Sequence, residues 1–187
     1  MARHRYFTVE DAISKENCDT LIKIYEDTEW RDSHVVGYDP AGNKEKYDNL
    51  RRSKVKWLEH NSFFTRAIWS YMLEINSKHL GYSLTGYEKP QLTRYAVGDY
   101  FDWHIDTLYD DSPTPRKLSA ILQLSRPEDY KGGELQLWGG DLEPEKLPIM
   151  EQGSFIVMRS EEWHRITKLT EGIRYSIVFW ATGPKLV

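Results

Sequence analysis

The chain has 187 residues, of which 40% are apolar and 29% are charged, with a formal net charge of −4. Such a chain is long enough to bury a core as one globular domain, and its slightly acidic balance gives no general attraction for nucleic acid or anionic membranes. Its single cysteine, Cys18, excludes an internal disulfide and a zinc site built from several thiolates.

We expect one domain over residues 1–187, in a soluble and cytoplasmic protein. The chain has no apolar run of membrane-spanning length, and its start, MARHRYFTVEDA, lacks the apolar core of a signal peptide. Residues 1–90 are predicted to supply helical support and a loop, and residues 90–182 to supply a barrel core. The oligomeric state is left open.

Two amphipathic helices are predicted in the first half. Ser14 is a candidate N-cap for the first helix, whose apolar residues follow the i, i+3, i+4, i+7 spacing: Cys18, Leu21, Ile22 and Tyr25. The second helix is predicted to begin at Asn61 and to end at Gly81, with Lys78 and His79 in its last turn. Its predicted buried residues are Phe64, Ile68, Tyr71, Met72 and Ile75.

Two segments lie between these helices. VVGYDPAGNKEKYDNL, residues 35–50, is rich in turn-forming and charged residues, which predicts a mobile loop flanked by short strands. RRSKVKWL, residues 51–58, has the composition of a strand.

From residue 90 onward, short apolar segments alternate with turn-forming residues. The predicted strands are QLTRYAV, YFDWHID, KLSAILQLS, GELQLW, SFIVM, WHRITKL and IRYSIVFWA. Short strands at regular spacing are typical of an antiparallel sandwich or barrel. We therefore predict a mainly β protein of the α+β class, with N-terminal helices packed outside a C-terminal barrel.

The segment YFDWHID carries a candidate pair of metal ligands. His104 and Asp106 are two residues apart, so in a strand they project from one face, whereas Trp103 points to the other. His-x-Asp alone is a weak pattern, and a metal site needs a third ligand from another strand. His164, in WHRITKL, lies in a comparable setting. Two histidines and one aspartate suit non-haem Fe(II) with open coordination positions, and zinc could use the same ligands.

Arg174 is the second unusual residue of this half. In IRYSIVFWA, strand alternation places it on one face together with Ser176, Val178 and Trp180. An arginine in an apolar strand needs an anionic partner, which is ordinarily a buried carboxylate. Because Arg174 follows His164 by ten residues across the turn TEG, we expect the two strands to pair and both side chains to enter one cavity.

A dicarboxylate cosubstrate is the alternative partner for the guanidinium, which matches a carboxylate in two-pronged fashion. Fe(II), one aspartate and two neutral imidazoles leave a charge of +1. A 2-oxoglutarate dianion brings −2, and Arg174 restores neutrality. The cavity would then hold no uncompensated charge.

These residues resemble the Fe(II)/2-oxoglutarate-dependent dioxygenases, specifically the prolyl 4-hydroxylase-like branch. RYAVGDYFDWHID is similar to the segment Y-x-x-G-x-x-[FY]-x-x-H-x-D, and RKLSAILQLSRPEDYKGGELQL to the strand pair that follows it. The distal block GSFIVMRSEEWHRITKLTEGIRYSIVFWATG resembles the family's H-x(9)-R/K pattern, with a tryptophan six residues after the basic residue. Upstream, RRSKVKWL resembles R-x-[SD]-K-x-x-W. The resemblance covers residues 50–182 and implies a double-stranded β-helix, or jelly roll.

The resemblance also implies roles for individual residues. The iron ligands are His104, Asp106 and His164. Arg174 matches the position that binds the distal carboxylate of 2-oxoglutarate, and Tyr95 the tyrosine that hydrogen-bonds this cosubstrate. Trp180 matches an aromatic residue near the iron and is a candidate cofactor contact. Candidate substrate contacts are Arg51, Ser53 and Tyr38, the last within a segment, residues 36–50, that is expected to act as a lid.

The predicted function is hydroxylation of a peptidyl proline, with Fe(II), 2-oxoglutarate and O2, and with ascorbate as a candidate reductant. A proline-containing peptide or protein is the expected partner. Two alternatives stay open: the same chemistry on another amino acid, residue or small metabolite, and a non-catalytic β-barrel that binds a metal or ligand. A nucleic-acid demethylase is disfavoured because that branch is expected to carry a second arginine where this chain has Trp180.

Overall fold

The computed structural model describes residues 4–38, 44–46, 49–107, 112–140, 142–147 and 151–185, and at residues 36–38 and 44–46 it describes the backbone only. The helices are α1 (Lys15–Glu26) and α2 (Phe63–Ile75), and short 3-10 and π-helical turns span Pro127–Asp129 and Asn76–Leu80. The described strands are β1 (Tyr6–Val9), β2 (Arg31–Asp32), β3 (Val36–Tyr38), β4 (Lys44–Lys46), β5 (Arg51–Arg52), β6 (Lys54–Trp57), β7 (Gly86–Tyr87), β8 (Gln91–Tyr95), β9 (Tyr100–His104), β10 (Arg116–Gln123), β11 (Tyr130–Gly132), β12 (Leu135–Leu137), β13 (Glu145–Lys146), β14 (Phe155–Arg159), β15 (His164–Ile166), β16 (Leu169–Gly172) and β17 (Arg174–Thr182).

Helix α1 confirms the first predicted helix. Ser14 is its N-cap, and the side-chain oxygen accepts a hydrogen bond of 3.3 Å from the backbone N–H of Asn17. Such a bond satisfies one of the amide groups that the first turn leaves unpaired. Cys18 and Leu21 are buried, as the apolar spacing predicts.

Helix α2 begins two residues later than predicted. Ser62, rather than a residue at position 61, is its N-cap and accepts a hydrogen bond of 3.2 Å from the backbone N–H of Thr65. The α-helix ends at Ile75 and continues as the π-helical turn. Gly81 closes this turn with a φ of 72°, a conformation that favours glycine, so the predicted end at Gly81 is confirmed.

Two antiparallel sheets form the body of the protein. The major sheet has the strand order β1-β14-β10-β17-β8-β6-β2, with β7 added beside β17. The minor sheet has the order β13-β12-β15-β9-β5. Smaller pairs join β3 to β4 and β11 to β16. The protein is therefore mainly β, with two facing sheets that have the arrangement of a jelly-roll core.

The two sheets enclose an apolar layer and a cavity. Ile121 and Met158 of the major sheet share a buried cluster with Leu137 and Ile166 of the minor sheet. Burying these side chains between the sheets is the main favourable contribution to folding in this layer.

The helices pack on the other face of the major sheet, as the alternation along β17 shows. Inward-facing residues of β17 line the cavity between the sheets: Arg174, Ser176, Val178 and Trp180. The intervening residues Tyr175, Ile177 and Phe179 lie in a buried cluster with Ile68 and Met72 of α2. The alternation predicted for this strand is confirmed.

RRSKVKWL is not one strand, as the sequence predicts, but two. β5 pairs with β9 in the minor sheet, whereas β6 pairs with β8 in the major sheet. Ser53 separates them, and its side chain is buried. The chain therefore crosses from the minor sheet to the major sheet at this residue.

Strand β1, which the sequence analysis missed, pairs with β14 at one edge of the major sheet. Strands from before residue 90 thus contribute to both sheets. The assignment of residues 1–187 to one domain, divided at about residue 90, stays a prediction. Among the described residues, none of the helices is long and apolar enough to cross a membrane.

Candidate metal centre

The three predicted metal ligands meet between the two sheets. His104, Asp106 and His164 are all buried, and their candidate ligand atoms lie within 4.8 Å of one another. One carboxylate oxygen of Asp106 lies 3.7 Å from Nε2 of His104, and the other lies 3.7 Å from Nε2 of His164. Two imidazole nitrogens and one carboxylate can bind one face of a metal ion.

The backbone brings these ligands together in a different way from the one predicted. His104 is the last residue of β9 and lies opposite His164, the first residue of β15. Asp106 lies beyond the end of β9, and its backbone N–H donates a hydrogen bond of 2.9 Å to the carbonyl of Ser160. His104 and Asp106 therefore do not share a strand face as expected. The end of β9 and the turn at Ser160 place the carboxylate.

Backbone carbonyls set the tautomer of both histidines. Nδ1 of His104 lies 2.7 Å from the carbonyl oxygen of Asp102, and Nδ1 of His164 lies 2.8 Å from the carbonyl oxygen of Glu162. A carbonyl only accepts, so each Nδ1 carries the proton and donates. Each Nε2 then presents a lone pair toward the carboxylate, as a metal ligand requires.

Burial and neighbouring charges keep His104 and Asp106 in the protonation states that a metal needs. Burial, with a contribution from His164, lowers the pKa of His104 to about 3. Burial raises the pKa of Asp106, but His164, His104, Arg116 and a hydrogen bond from Ser119 outweigh it and lower the pKa to about 2. At neutral pH His104 is therefore neutral and Asp106 is ionised.

Arg174 lies in the same cavity, but by a different route from the one predicted. The strands of His164 and Arg174 do not pair, because β15 belongs to the minor sheet and β17 to the major sheet. The segment TEG is not a turn but part of β16. The two side chains meet because the sheets face each other, and both line the cavity.

Two nitrogens of the Arg174 guanidinium have no hydrogen-bond partner among the described residues. They are Nε and Nη1, and the Arg174 side chain is only 3% exposed. Tyr95 lies beside it in strand register and is equally buried, with its ring centroid 5.9 Å from the guanidinium carbon. A buried cation without a protein partner is costly, which fits a site for an anionic ligand.

Trp180 lines the same cavity and also has an unpaired hydrogen-bond donor among the described residues. Its indole Nε1 is buried, without a hydrogen-bond partner in the described part of the chain. The guanidinium carbon of Arg116 lies 3.9 Å from the centroid of the Trp180 ring, and Glu88 holds Arg116 through two hydrogen bonds of 2.6 Å. Arg116 and Glu88 were not predicted from the sequence, because 28 residues separate them and no local pattern links them.

Arg51 and Ser53, predicted as substrate contacts, form a polar cluster at the edge of the cavity. Nε of Arg51 donates to the hydroxyl of Ser53 at 2.9 Å, and Nη2 donates to Oε1 of Gln91 at 2.9 Å. The Ser53 hydroxyl donates in turn to Ser33 at 2.9 Å. Ser53 therefore holds Arg51 in place. The predicted contact of either residue with substrate stays a prediction.

Two other expectations concern neighbouring residues. Trp103 packs against Trp138 at 5.0 Å and beneath Arg165 at 4.5 Å, away from the cavity lining, so its predicted orientation is confirmed. The side chain of Tyr38 lies outside the described residues, and so do residues 39–43 and 47–48 of the expected lid, residues 36–50.

The residues present fit an iron centre with an anionic cosubstrate. The metal donors are two imidazoles and one carboxylate, a set suited to non-haem Fe(II). Arg174 lines the same cavity, and its Nε and Nη1 have no hydrogen-bond partner among the described residues. An anionic ligand in the cavity would balance its charge.

Comparisons with known proteins agree with an iron centre that uses an anionic cosubstrate. Residues 90–182 match the family model of the 2OG-Fe(II) oxygenase superfamily. A PKHD-type hydroxylase of Pseudomonas fluorescens is 34% identical over 97 residues, which are 49% of this chain and 42% of that relative. The match therefore spans less than half of the relative's length.

Solved structures share the fold at low sequence identity. A prolyl-4-hydroxylase of Pseudomonas putida has a TM-score of 0.73 at 18% identity, covering 95% of this chain and 92% of that one. A prolyl hydroxylase of Trichoplax adhaerens, solved with a peptide fragment of hypoxia inducible factor, has a TM-score of 0.69 at 17% identity, covering 95% and 83%. The matched barrel segment carries the two histidines, the aspartate and the arginine of the buried site, and the chain belongs to the 2OG-Fe(II) oxygenase superfamily.

Proposed function

We propose that this protein is an Fe(II)- and 2-oxoglutarate-dependent hydroxylase that acts on a prolyl residue of a peptide or protein. One observation carries the proposal: the His104, Asp106 and His164 donors and the unpaired guanidinium of Arg174 line one buried cavity. A structural metal site would not require the arginine, and a structural ion pair would not leave it unpaired.

The protein's own residues prepare the metal site. His104 and His164 direct Nε2 toward the Asp106 carboxylate because backbone carbonyls accept the protons on Nδ1, and Asp106 supplies the negative charge. These three ligands would hold Fe(II) on one side only and leave its other positions open to the cavity. With 2-oxoglutarate and O2, the bound iron supplies the oxidising chemistry that converts a C–H bond to C–OH, with succinate and carbon dioxide as coproducts.

Arg174 and Tyr95 would hold the cosubstrate by its distal carboxylate. Arg174 supplies a buried positive charge, and Tyr95 packs beside it from the neighbouring strand. A charge-assisted pair in a buried cavity orients its ligand strongly because little water competes for it. Ascorbate would serve as an external reductant that keeps the iron in the ferrous state.

The proposal of a prolyl substrate is supported by two neighbours with this fold that are prolyl hydroxylases by name, one of them in complex with a peptide fragment. In this chain, Arg51 is fixed by Ser53 and Gln91 and lines the cavity on the side of the metal ligands. It would contact the peptide there. Trp180, whose indole N–H has no acceptor among the described residues, would donate a hydrogen bond within the same cavity.

The test is a succinate-release assay over a panel of proline-containing peptides, free amino acids and small metabolites, with mass spectrometry to locate the added oxygen. We expect peptide-dependent succinate release and one added oxygen on proline. His164→Ala should abolish both, whereas His60→Ala, outside the cavity, should not. Turnover with small metabolites alone would refute the prolyl assignment. Turnover that survives His164→Ala would refute the oxygenase itself.

A further inference from the structure

Two of the three metal ligands depend on one turn, residues 159–162, which we call the ligand turn. It carries the chain from β14 of the major sheet toward β15 of the minor sheet. The carbonyl of Ser160 accepts a hydrogen bond of 2.9 Å from the N–H of Asp106, and the carbonyl of Glu162 accepts one of 2.8 Å from Nδ1 of His164. The position of the ligand turn therefore sets the position of Asp106 and the orientation of His164.

Arg5, which directly precedes β1, holds the side chain of Glu162. Its Nε donates to one carboxylate oxygen at 3.0 Å, and its Nη2 lies 2.9 Å from the same oxygen. The two side chains are only 31% and 19% exposed, so water screens this pair less than it screens a pair on the open surface. Arg159 contributes less to Glu162, because its Nη1 lies 3.8 Å from the other oxygen and donates to the carbonyl of His4.

The strand ladder places Arg5 beside the ligand turn. β1 begins directly after Arg5 and pairs antiparallel with β14, which ends at Arg159, where the ligand turn begins. Arg5 also reaches β13 of the minor sheet, with its Nη1 3.4 Å from a carboxylate oxygen of Glu145. The arginine therefore contacts both the turn between the two sheets and the minor sheet itself.

We propose that Arg5 is a positioning residue of the metal centre, which fixes Glu162 and through it the ligand turn that orients His164 and places Asp106. The inference rests on the proposed function, since it requires that the three ligands bind a metal. Groups that orient a metal ligand typically contribute 10- to 100-fold to metal affinity. Because Arg5 acts through one further residue, we expect its contribution at the lower end of this range.

The test is calorimetric titration of the whole chain with Mn(II), without cosubstrate or turnover. Arg5→Met keeps an apolar stem but removes the guanidinium, and it should raise the Kd for Mn(II) by about tenfold. Arg5→Lys keeps the charge without the fork of donors, so it should raise the Kd less than Arg5→Met, and it provides the comparison if Arg5→Met does not fold.

Arg126→Met is the matched control for the loss of an arginine. Nη2 of Arg126 donates to a carboxylate oxygen of Asp19 in α1 at 2.6 Å, and neither residue lines the metal cavity. This variant should bind Mn(II) as wild type does. Urea denaturation checks that each variant is folded, since the Kd of a folded protein reports the site and not the overall stability.

A double-variant cycle tests the route through Glu162. Glu162→Ala removes the carboxylate but keeps the backbone carbonyl that accepts the His164 proton. It should raise the Kd about as much as Arg5→Met does, and combining the two should cause no further rise, whereas additive effects would contradict this route. A Kd that is unchanged in folded Arg5→Met, or that rises equally in Arg126→Met, would overturn the positioning role alone. Wild-type protein that does not bind Mn(II) would overturn the proposed function as well.

Discussion

The ring of Phe101 lies parallel to the imidazole of His104, with ring centroids 3.4 Å apart and an interplanar angle of 9°. The guanidinium carbon of Arg51 lies 4.7 Å from the centroid of the Phe101 ring. Ser53 and Gln91 fix the guanidinium in turn. Phe101 therefore contacts both the metal ligand His104 and the guanidinium of the polar cluster at the cavity edge.

This stack predicts a loss of metal affinity when the aromatic ring is removed. Phe101→Leu should raise the Kd for Mn(II) by about tenfold, because groups that orient a metal ligand typically contribute 10- to 100-fold to affinity. Phe101→Tyr keeps the ring and should bind Mn(II) as wild type does. Calorimetric titration measures both, and an unchanged Kd in a folded Phe101→Leu variant would show that the stack does not orient His104.

The pair of Glu88 and Arg116 is expected to stabilise the fold around Trp180. Its side chains are only 34% and 16% exposed, and its two hydrogen bonds of 2.6 Å hold the guanidinium over the indole. Glu88→Gln should lower the free energy of unfolding by about 1 kcal/mol, as for a partly buried charge-assisted pair.

Lys131 and Glu171 supply the matched control for this measurement. They form an ion pair at 2.8 Å with side chains 70% and 61% exposed. Glu171→Gln should change the free energy of unfolding by less than about 0.5 kcal/mol, because exposed pairs contribute little. Urea denaturation compares the two variants. Equal effects would mean that the contact with Trp180 adds nothing to the Glu88 pair.

The sequence allowed the prediction of what depends on local pattern. Alternation along β17 separated Arg174 and Trp180 from the residues that face the helices, and the spacing of His104, Asp106 and His164 indicated the ligand set. The predicted strand boundaries and ligand placement were wrong where the chain passes from one sheet to the other or leaves a strand. Ser53 divides a predicted strand between the major and minor sheets, and Ser160 rather than β9 places Asp106. Both outcomes depend on contacts between distant segments, which no local spacing encodes.

The stability of the metal-free protein should fall as the pH falls below neutrality. Burial lowers the pKa of His104 from 6.5 to about 3, so between these values the unfolded state binds a proton that the folded state excludes. The depressed pKa of Asp106 acts in the same direction below pH 3.8, where the unfolded carboxylate becomes protonated first. The free energy of unfolding should therefore rise with pH from about 3 to 6.5.

His104→Gln tests the origin of this dependence. One proton contributes at most about 1.4 kcal/mol per pH unit, and the variant should lose most of that slope between pH 4 and 6. His60→Gln, whose ring lies outside the cavity against Tyr87, should keep the wild-type slope. Urea denaturation at several pH values measures it, and an unchanged slope in His104→Gln would assign the dependence to other groups.

Gly133 and Gly140 offer a comparison between backbone strain and a steric effect on Arg174. Both have a positive φ, 61° and 69°, so alanine at either position should cost about 1 kcal/mol of stability. Only at Gly133 would the added methyl group contact the arginine, since a Cβ at Gly140 meets no described atom within 4 Å. Gly133→Ala should therefore raise the Kd for 2-oxoglutarate severalfold on the Mn(II)-loaded protein, and Gly140→Ala should not. If the two variants lose stability equally and bind 2-oxoglutarate equally, the position of Arg174 does not depend on the space that Gly133 leaves.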